Sequence, residues 1–220
     1  MEISKVKHIF TNAEELELGQ IYCIGRNYSA HAREMGSVVE SDPIVFLKPN
    51  TSYFNTNYTF EIPKFSNNIH HEVELVLVIG RDCYQVDSED MNKYIAGYGI
   101  GIDFTARDAQ QKAKEKGHPW AVAKGFYRSA PVSKIIPANE IKENYFDIEL
   151  YKNANLVQSV NTKEMEHNIS KIIKYLSSIF YLRKGDCIFT GTPSGVGRVE
   201  KGNKLRAVLN KKLSFELNVV

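Results

Sequence analysis

The sequence predicts an α+β protein, rich in β-structure, whose sheet is mixed or mostly antiparallel with a few flanking helices. Two observations carry this. At least seven short segments are rich in β-branched and aromatic residues and are bounded by turn residues. Helical patterns number three and fall irregularly, too few for a regular strand–helix–strand winding. Glycine and proline are spread evenly over the 220 residues, with no linker, repeat or low-complexity tract, so one domain over residues 1–220 is expected, with about 1–18 a short N-terminal segment.

Taken in order, the first strand is Ile21 to Gly25 (IYCIG). A short helix follows from Ser29 to Met35, stopped by Gly36, and then a strand from Pro43 to Lys48. Val73 to Gly80 and Ala96 to Asp103 are the next two strands. After Asp103 a helix is predicted, with Thr105 and Asp108 at capping-box spacing and Gly117 as its stop. Phe146 to Asn153 is a strand. Between about Thr162 and Phe180, Met165, Ile169, Ile172, Ile173, Leu176, Ile179 and Phe180 recur at helical spacing, the pattern of a core-facing helix. Cys187 to Gly191 and Lys204 to Asn210 complete the strands.

Composition narrows the function. Lys and Arg number 28 against 26 Asp and Glu, a net charge of +2, which argues against nucleic acid or an anionic membrane as the main partner. Cys23, Cys83 and Cys187 are widely spaced and odd in number, so neither a disulfide framework nor a thiolate zinc site is indicated; a reducing compartment, the cytoplasm, fits. The opening MEISKVKHIFTNAEELELG has no apolar signal core, and no run approaches the roughly 20 apolar residues of a membrane span.

Three carboxylates stand out. Side chains two apart on a strand share a face, so in HHEVELVLVIG Glu72 and Glu74 point the same way, Val76 and Val78 continue their face, and Val73, Leu75, Leu77 and Ile79 line the other. Two like charges ending a buried strand are costly unless a cation or fixed donors compensate; the plainer reading is two solvated glutamates. Asp103, closing AGYGIGID, adds a third carboxylate, and the set reads as a site for Mg2+, Mn2+ or Ca2+. His70 shares the face of Glu72 and Glu74, so it is either an imidazole ligand for Zn or Fe(II) or a hydrogen-bonded structural residue. Elsewhere, His31 and Glu34 are three apart on one helical face. They form either a solvated pair or a general base whose imidazole is oriented by a carboxylate. Arg107 and Gln110 open the helix after Asp103, where an anion is favoured, although an exposed Arg and Gln would have the same spacing. Lys124 lies in the apolar WAVAKGF and needs an anionic partner. The glycine-rich TGTPSGVG, Thr190 to Gly197, can set backbone N–H groups against an anion, but no Walker, GxGxxG or GxSxG motif is present.

In order and wording, GRNYSAHAREMG, PIVFLKP, HHEVELVLVIG, GYGIGIDFTARDAQ, GHPWAVAKGF and IFTGTPSGVG resemble the fumarylacetoacetate hydrolase family, most nearly its short acylpyruvate hydrolase and oxaloacetate decarboxylase branch. The resemblance runs from about Ile21 to the C-terminus. It implies a mixed β-roll with flanking helices, usually a homodimer, holding Mg2+ or Mn2+ through Glu72, Glu74 and Asp103. It implies further that His31 and Glu34 are a catalytic dyad on a lid, and that Arg107, Gln110 and a catalytic Lys124 contact a bound oxo acid. Thr192 is implied as a contact to the substrate carboxylate. The expected reaction is cleavage of a C–C bond in an acylpyruvate to pyruvate and a carboxylic acid. Oxaloacetate decarboxylation and isomerisation of 2-hydroxyhepta-2,4-diene-1,7-dioate are alternatives through the same enolate. The short N-terminal segment points away from fumarylacetoacetate itself as substrate. A metal- or oxo-acid-binding module without turnover is the non-enzymatic alternative, against which His31, Glu34 and Lys124 argue because metal binding alone needs none of them.

Overall fold

The strand Val73–Ile79 is apolar on both faces because both are covered, and every residue in it is buried. It lies inside a six-stranded sheet in the order Ile136–Pro137, Ile95–Ile102, Val73–Ile79, Cys187–Phe189, Ile21–Gly25, Ile44–Lys48, in a computed structural model that describes residues 6–34, 36, 40–87 and 91–220. Neighbours are antiparallel except Cys187–Phe189 and Ile21–Gly25, which run parallel, so the sheet is mixed as expected. The predicted strands agree with the observed ones to within about two residues at each end.

The two-residue period of Val73–Ile79 separates two cores. Val73, Leu75, Leu77 and Ile79 pack with Ile148, Leu150, Leu205 and Leu217 of a second, five-stranded sheet, whose order is Asn155–Asn161, Asp147–Lys152, Lys204–Leu209, Leu213–Val219, Thr59–Phe60. Val76 and Val78 face the other way onto Ile21, Cys23, Phe189 and Val132. Each fully buried aliphatic side chain here contributes roughly 1.5–3 kcal/mol. Gly101 lies opposite Glu74, and a Cβ there would come within 2.7 Å of the Phe189 ring and 2.9 Å of Val76, so only glycine lets the strands close beneath the site. Before Ile21, Lys7–Ile9 and Glu15–Glu17 form a hairpin anchored by the buried His8, which bonds Tyr53 Oη at 3.0 Å and the Gly185 carbonyl at 2.9 Å.

Among the described residues four α-helices, α1 (Ser29–Glu34), α2 (Arg107–Glu115), α3 (Ala121–Lys124) and α4 (Ile169–Ile179), flank the sheets. Two expectations need correction. The long helix does not start at Thr162: Thr162–Glu164 is a 3-10 turn, Met165 is extended, and α4 begins only where Asn168 caps it by accepting the Lys171 N–H at 2.9 Å. Thr105 and Asp108 form no capping box. Thr105 pairs with His70 in a short strand, while Asp108 is recruited across the fold by Ser66 Oγ at 2.6 Å and the Asn67 N–H at 3.1 Å. Gly117 does follow α2 with φ +64°. Met35, predicted to end α1, lies outside the described residues. Leu213–Val219 and Asn155–Asn161 are strands that the sequence reading did not include. No helix among the described residues is long and apolar enough to cross a membrane.

Candidate active site

Backbone pairing assembles the carboxylates. Glu72 sits between the strands Ile69–His71 and Val73–Ile79, Glu74 projects from the second of these, and Asp103 follows Ile95–Ile102, its N–H donating to the Glu72 carbonyl at 2.8 Å. Oxygens of Glu72, Glu74 and Asp103, one from each, lie within 4.8 Å of one another, and all three residues are buried. The solvated-glutamate reading therefore fails.

Three cations answer the charge. Lys124 Nζ donates to Glu72 Oε2 at 2.7 Å and Asp103 Oδ2 at 2.5 Å. Arg107 Nη2 meets Glu72 Oε1 at 2.5 Å, and its Nη1 donates to Gln110 Oε1 at 2.8 Å. The third cation, Lys48, was not assigned from the sequence. It is fully buried, with Nζ 2.8 Å from Asp103 Oδ1, an ion-pair contact without hydrogen-bond alignment, and it donates to Ser129 Oγ at 2.9 Å and to the Lys124 carbonyl. In the sequence it is only the last residue of the predicted strand Pro43 to Lys48.

The glutamates are not equivalent. Burial opposes ionisation of Glu72, but Lys124 and Arg107 outweigh it and hold the carboxyl far below its ordinary range. For Lys124, burial is likewise outweighed, by Asp103 and Glu72, and the ammonium is stabilised. Among the described residues Glu74 makes no ion pair, and only the more distant Lys124 charge opposes its neutralisation. Burial, then Asp103 and Glu72, push its pKa well up, relieved in part by the Gly191 N–H donating to Oε2 at 2.7 Å. A divalent cation fits this set. The donors are hard oxygens without a thiolate, Asp103 Oδ1 accepts no hydrogen bond, and Glu74 has no ion-pair partner among the described residues. The imidazole alternative is not supported. His70 Nε2 bonds Asn68 Oδ1 at 3.0 Å, and the cluster contains the three carboxylates without it.

His31, Gln110, Lys124, Arg107 and Thr192 line one cleft with the three carboxylates. Glu34 stands behind His31, with Oε2 3.3 Å from Nδ1. Burial lowers the His31 pKa more than Glu72 and Glu34 raise it, so the imidazole is neutral near pH 7. The TGTPSGVG loop does turn N–H groups toward anions, and these are the protein's own: Gly191 serves Glu74, and Gly195 serves Glu34 at 3.2 Å. Gly191 has φ +99°, and a Cβ there would meet Asn27 at 2.7 Å.

Two positioning residues escaped the sequence reading. Gln158 Nε2 donates to Thr192 Oγ1 at 2.9 Å and to the Pro193 carbonyl, while its Oε1 accepts from the Val73 N–H at 3.1 Å and lies 3.0 Å from His71 Nδ1. Because Thr192 accepts from Gln158, its own hydroxyl proton is free for the cleft. Buried Asn27 donates to the carbonyls of His167 and Thr190 at 2.9 and 2.8 Å, tying the start of α1 to the glycine loop. Amides and glutamines in isolation carry no sequence signal for such roles.

The chain is similar to known proteins over nearly its whole length. Residues 20–218 match the fumarylacetoacetate hydrolase C-terminal family. The chain is 40% identical over 200 residues to the mitochondrial oxaloacetate tautomerase FAHD1 of Homo sapiens, covering 90% of each chain. It is 40% identical to oxaloacetate tautomerase YcgM of Escherichia coli, covering 86% of this chain and 87% of the relative. The structure of fumarylpyruvate hydrolase from Pseudomonas aeruginosa, in complex with Mn2+ and pyruvate, superposes with a TM-score of 0.96 at 32% identity, covering 100% and 97% of the two chains. With the fold, the buried carboxylates and this similarity over nearly its whole length, the chain belongs to the fumarylacetoacetate hydrolase family.

Proposed function

We propose that the protein is a Mg2+- or Mn2+-dependent enzyme acting at C3 of short 2-oxo acids, with keto–enol conversion of oxaloacetate as its first reaction. The observation that carries this reading is one cleft holding three buried, mutually close carboxylates together with a neutral histidine backed by a glutamate. The relatives named as oxaloacetate tautomerases support oxaloacetate. Glu72, Glu74 and Asp103 would hold a divalent cation, which would supply Lewis-acid stabilisation of negative charge on a 2-oxo acid. Arg107, Gln110 and the free hydroxyl proton of Thr192 bind and orient the substrate carboxylate. Lys124 donates a hydrogen bond to the oxygen on which negative charge develops. His31, kept neutral by burial and oriented by Glu34, takes the enol O–H proton to leave the enolate and delivers it to C3 to give the keto acid, the reverse transfer giving the enol.

The His31–Glu34 pair also favours a second reading. The same base, directed at water, supports hydrolytic C–C cleavage of an acylpyruvate, and fumarylpyruvate hydrolase is the name of one similar structure. Loss of CO2 from oxaloacetate needs the enolate without water attack. The working form in this proposal is a cytoplasmic homodimer of single-domain subunits, which sedimentation analysis tests. For the reaction, purified protein with Mg2+ or Mn2+ is given oxaloacetate and acetylpyruvate while enol absorbance, CO2 and pyruvate are followed. Faster enol decay with oxaloacetate is expected; no acceleration of any of the three with either metal would overturn the proposal.

A further inference from the structure

Two cations of the cleft have no task in that chemistry. Arg107 and Lys124, which act in it, are also ion-paired, both with Glu72 and Lys124 with Asp103 as well. Arg26 and Lys114 line the same cleft, yet among the described residues neither has a carboxylate within ion-pair distance. Arg26 follows the strand Ile21–Gly25 with φ +57°, a left-handed conformation unusual for a long side chain and of the kind that persists where surroundings impose it. Lys114, in the last turn of α2, stands over the Trp120 indole, 5.9 Å from the ring centroid. Burial first, then the neighbouring charges of Arg26, Arg107 and Lys124, lower the Lys114 pKa against a smaller opposing pull from Glu72, so an anion between these groups relieves repulsion. Phe46 and Trp120, edge to face at 6.0 Å, give the same cleft an apolar wall.

We infer that Arg26 and Lys114 form a subsite for a second, distal carboxylate, so that the cleft selects dicarboxylic 2-oxo acids over those with a neutral distal end. The inference rests on the 2-oxo acid reading of the cleft. In it, the carboxylate and oxo oxygens at one end of the substrate are engaged by the carboxylate-held cation, Arg107, Gln110 and Thr192, the short carbon spacer lies against Phe46 and Trp120, and the far carboxylate meets the two free cations. Charge-assisted contacts of this kind separate an anion from its neutral isostere by about tenfold or more.

The test is binding, read by calorimetry at fixed Mg2+, with three probes: oxalate, which has no distal arm, oxaloacetate, and 2-oxosuccinamate, its C4 amide. The parent is expected to bind oxaloacetate at least about tenfold more tightly than the amide. Arg26→Asn, which tolerates the left-handed backbone, and Lys114→Gln should each reduce that ratio to within about twofold of unity while oxalate affinity stays within about twofold, and Arg26→Lys should retain most of it. Retained oxalate binding also reports that each variant is folded. Equal affinity of the parent for oxaloacetate and the amide, or a ratio unchanged in both Arg26→Asn and Lys114→Gln, overturns the subsite alone. Failure of the parent to bind oxalate overturns the oxo-acid site and the subsite together.

Discussion

Replacing Lys48 by methionine tests how the carboxylate cluster is held. Lys48 is fully buried, and its ammonium meets Asp103 Oδ1 at 2.8 Å, Ser129 Oγ at 2.9 Å and the Lys124 carbonyl. Methionine preserves most of the aliphatic volume, so the loss is electrostatic: Asp103 keeps Lys124 as its only cation, and two oxygen acceptors lose a buried donor. Breaking a buried ion pair from one side costs about 3–5 kcal/mol. For a chain of this size each kcal/mol moves the melting temperature by about 2–4 °C, so a fall of about 6–20 °C is expected. Circular dichroism melts of the metal-stripped protein measure it. Saturating Mn2+ should recover part of the loss, since a cation supplies the positive charge that Lys48 provided, and a ligand at about 100 times its Kd adds about 2.7 kcal/mol. A melting temperature within about 1 °C of the parent would refute the reasoning and make Lys48 an incidental buried lysine.

The other predictions are shorter. Exhaustive chelation with EDTA should abolish turnover and Mn2+ should restore it, which an oxaloacetate assay checks. His31→Ala should cost about 10²–10⁴ in turnover while oxalate affinity changes only a few-fold, because a general base acts in the transition state; collapse of oxalate binding would make His31 a binding residue. His8 is buried and its pKa is pushed down by burial from 6.5 to about 4. Since the folded state resists protonation that the unfolded chain accepts, stability is full above pH 6.5 and falls as pH drops toward 4, by about 2 kcal/mol from this residue at pH 5. Urea unfolding at pH 7 and 5 should show that decrement shrink in His8→Gln; identical pH dependence would contradict it.

Much of the site was legible because it follows from the period of one strand. Alternation in Val73–Ile79 put Glu72 and Glu74 on one face and assigned its apolar residues to two opposing cores, as observed. Lys124 was readable from its apolar surroundings. Lys48, Gln158 and Asn27 were not, because each owes its role to partners 34 or more residues away, Lys124, Thr192 and His167 among them. The cap of α2 and the start of α4 were misplaced for a related reason. Spacing alone could not tell that Asp108 would serve Ser66 and Asn67, or that Asn168 rather than a residue near Thr162 would cap α4. Helical periodicity over 162–180 survives in the buried Met165, Ile172, Ile173 and Leu176, although the first of these reaches the core from an extended segment.

The central claim is that Glu72, Glu74 and Asp103 hold a divalent cation through which a 2-oxo acid is recognised. Calorimetric titration of Mn2+ into the metal-stripped protein, followed by oxalate, tests it most directly, with Asp103→Ala alongside. One Mn2+ should bind per chain, oxalate should bind only after it, and both events should vanish in Asp103→Ala while its circular dichroism spectrum remains that of the parent. Oxalate binding of equal strength without metal, or Mn2+ affinity unchanged in Asp103→Ala, would contradict the account.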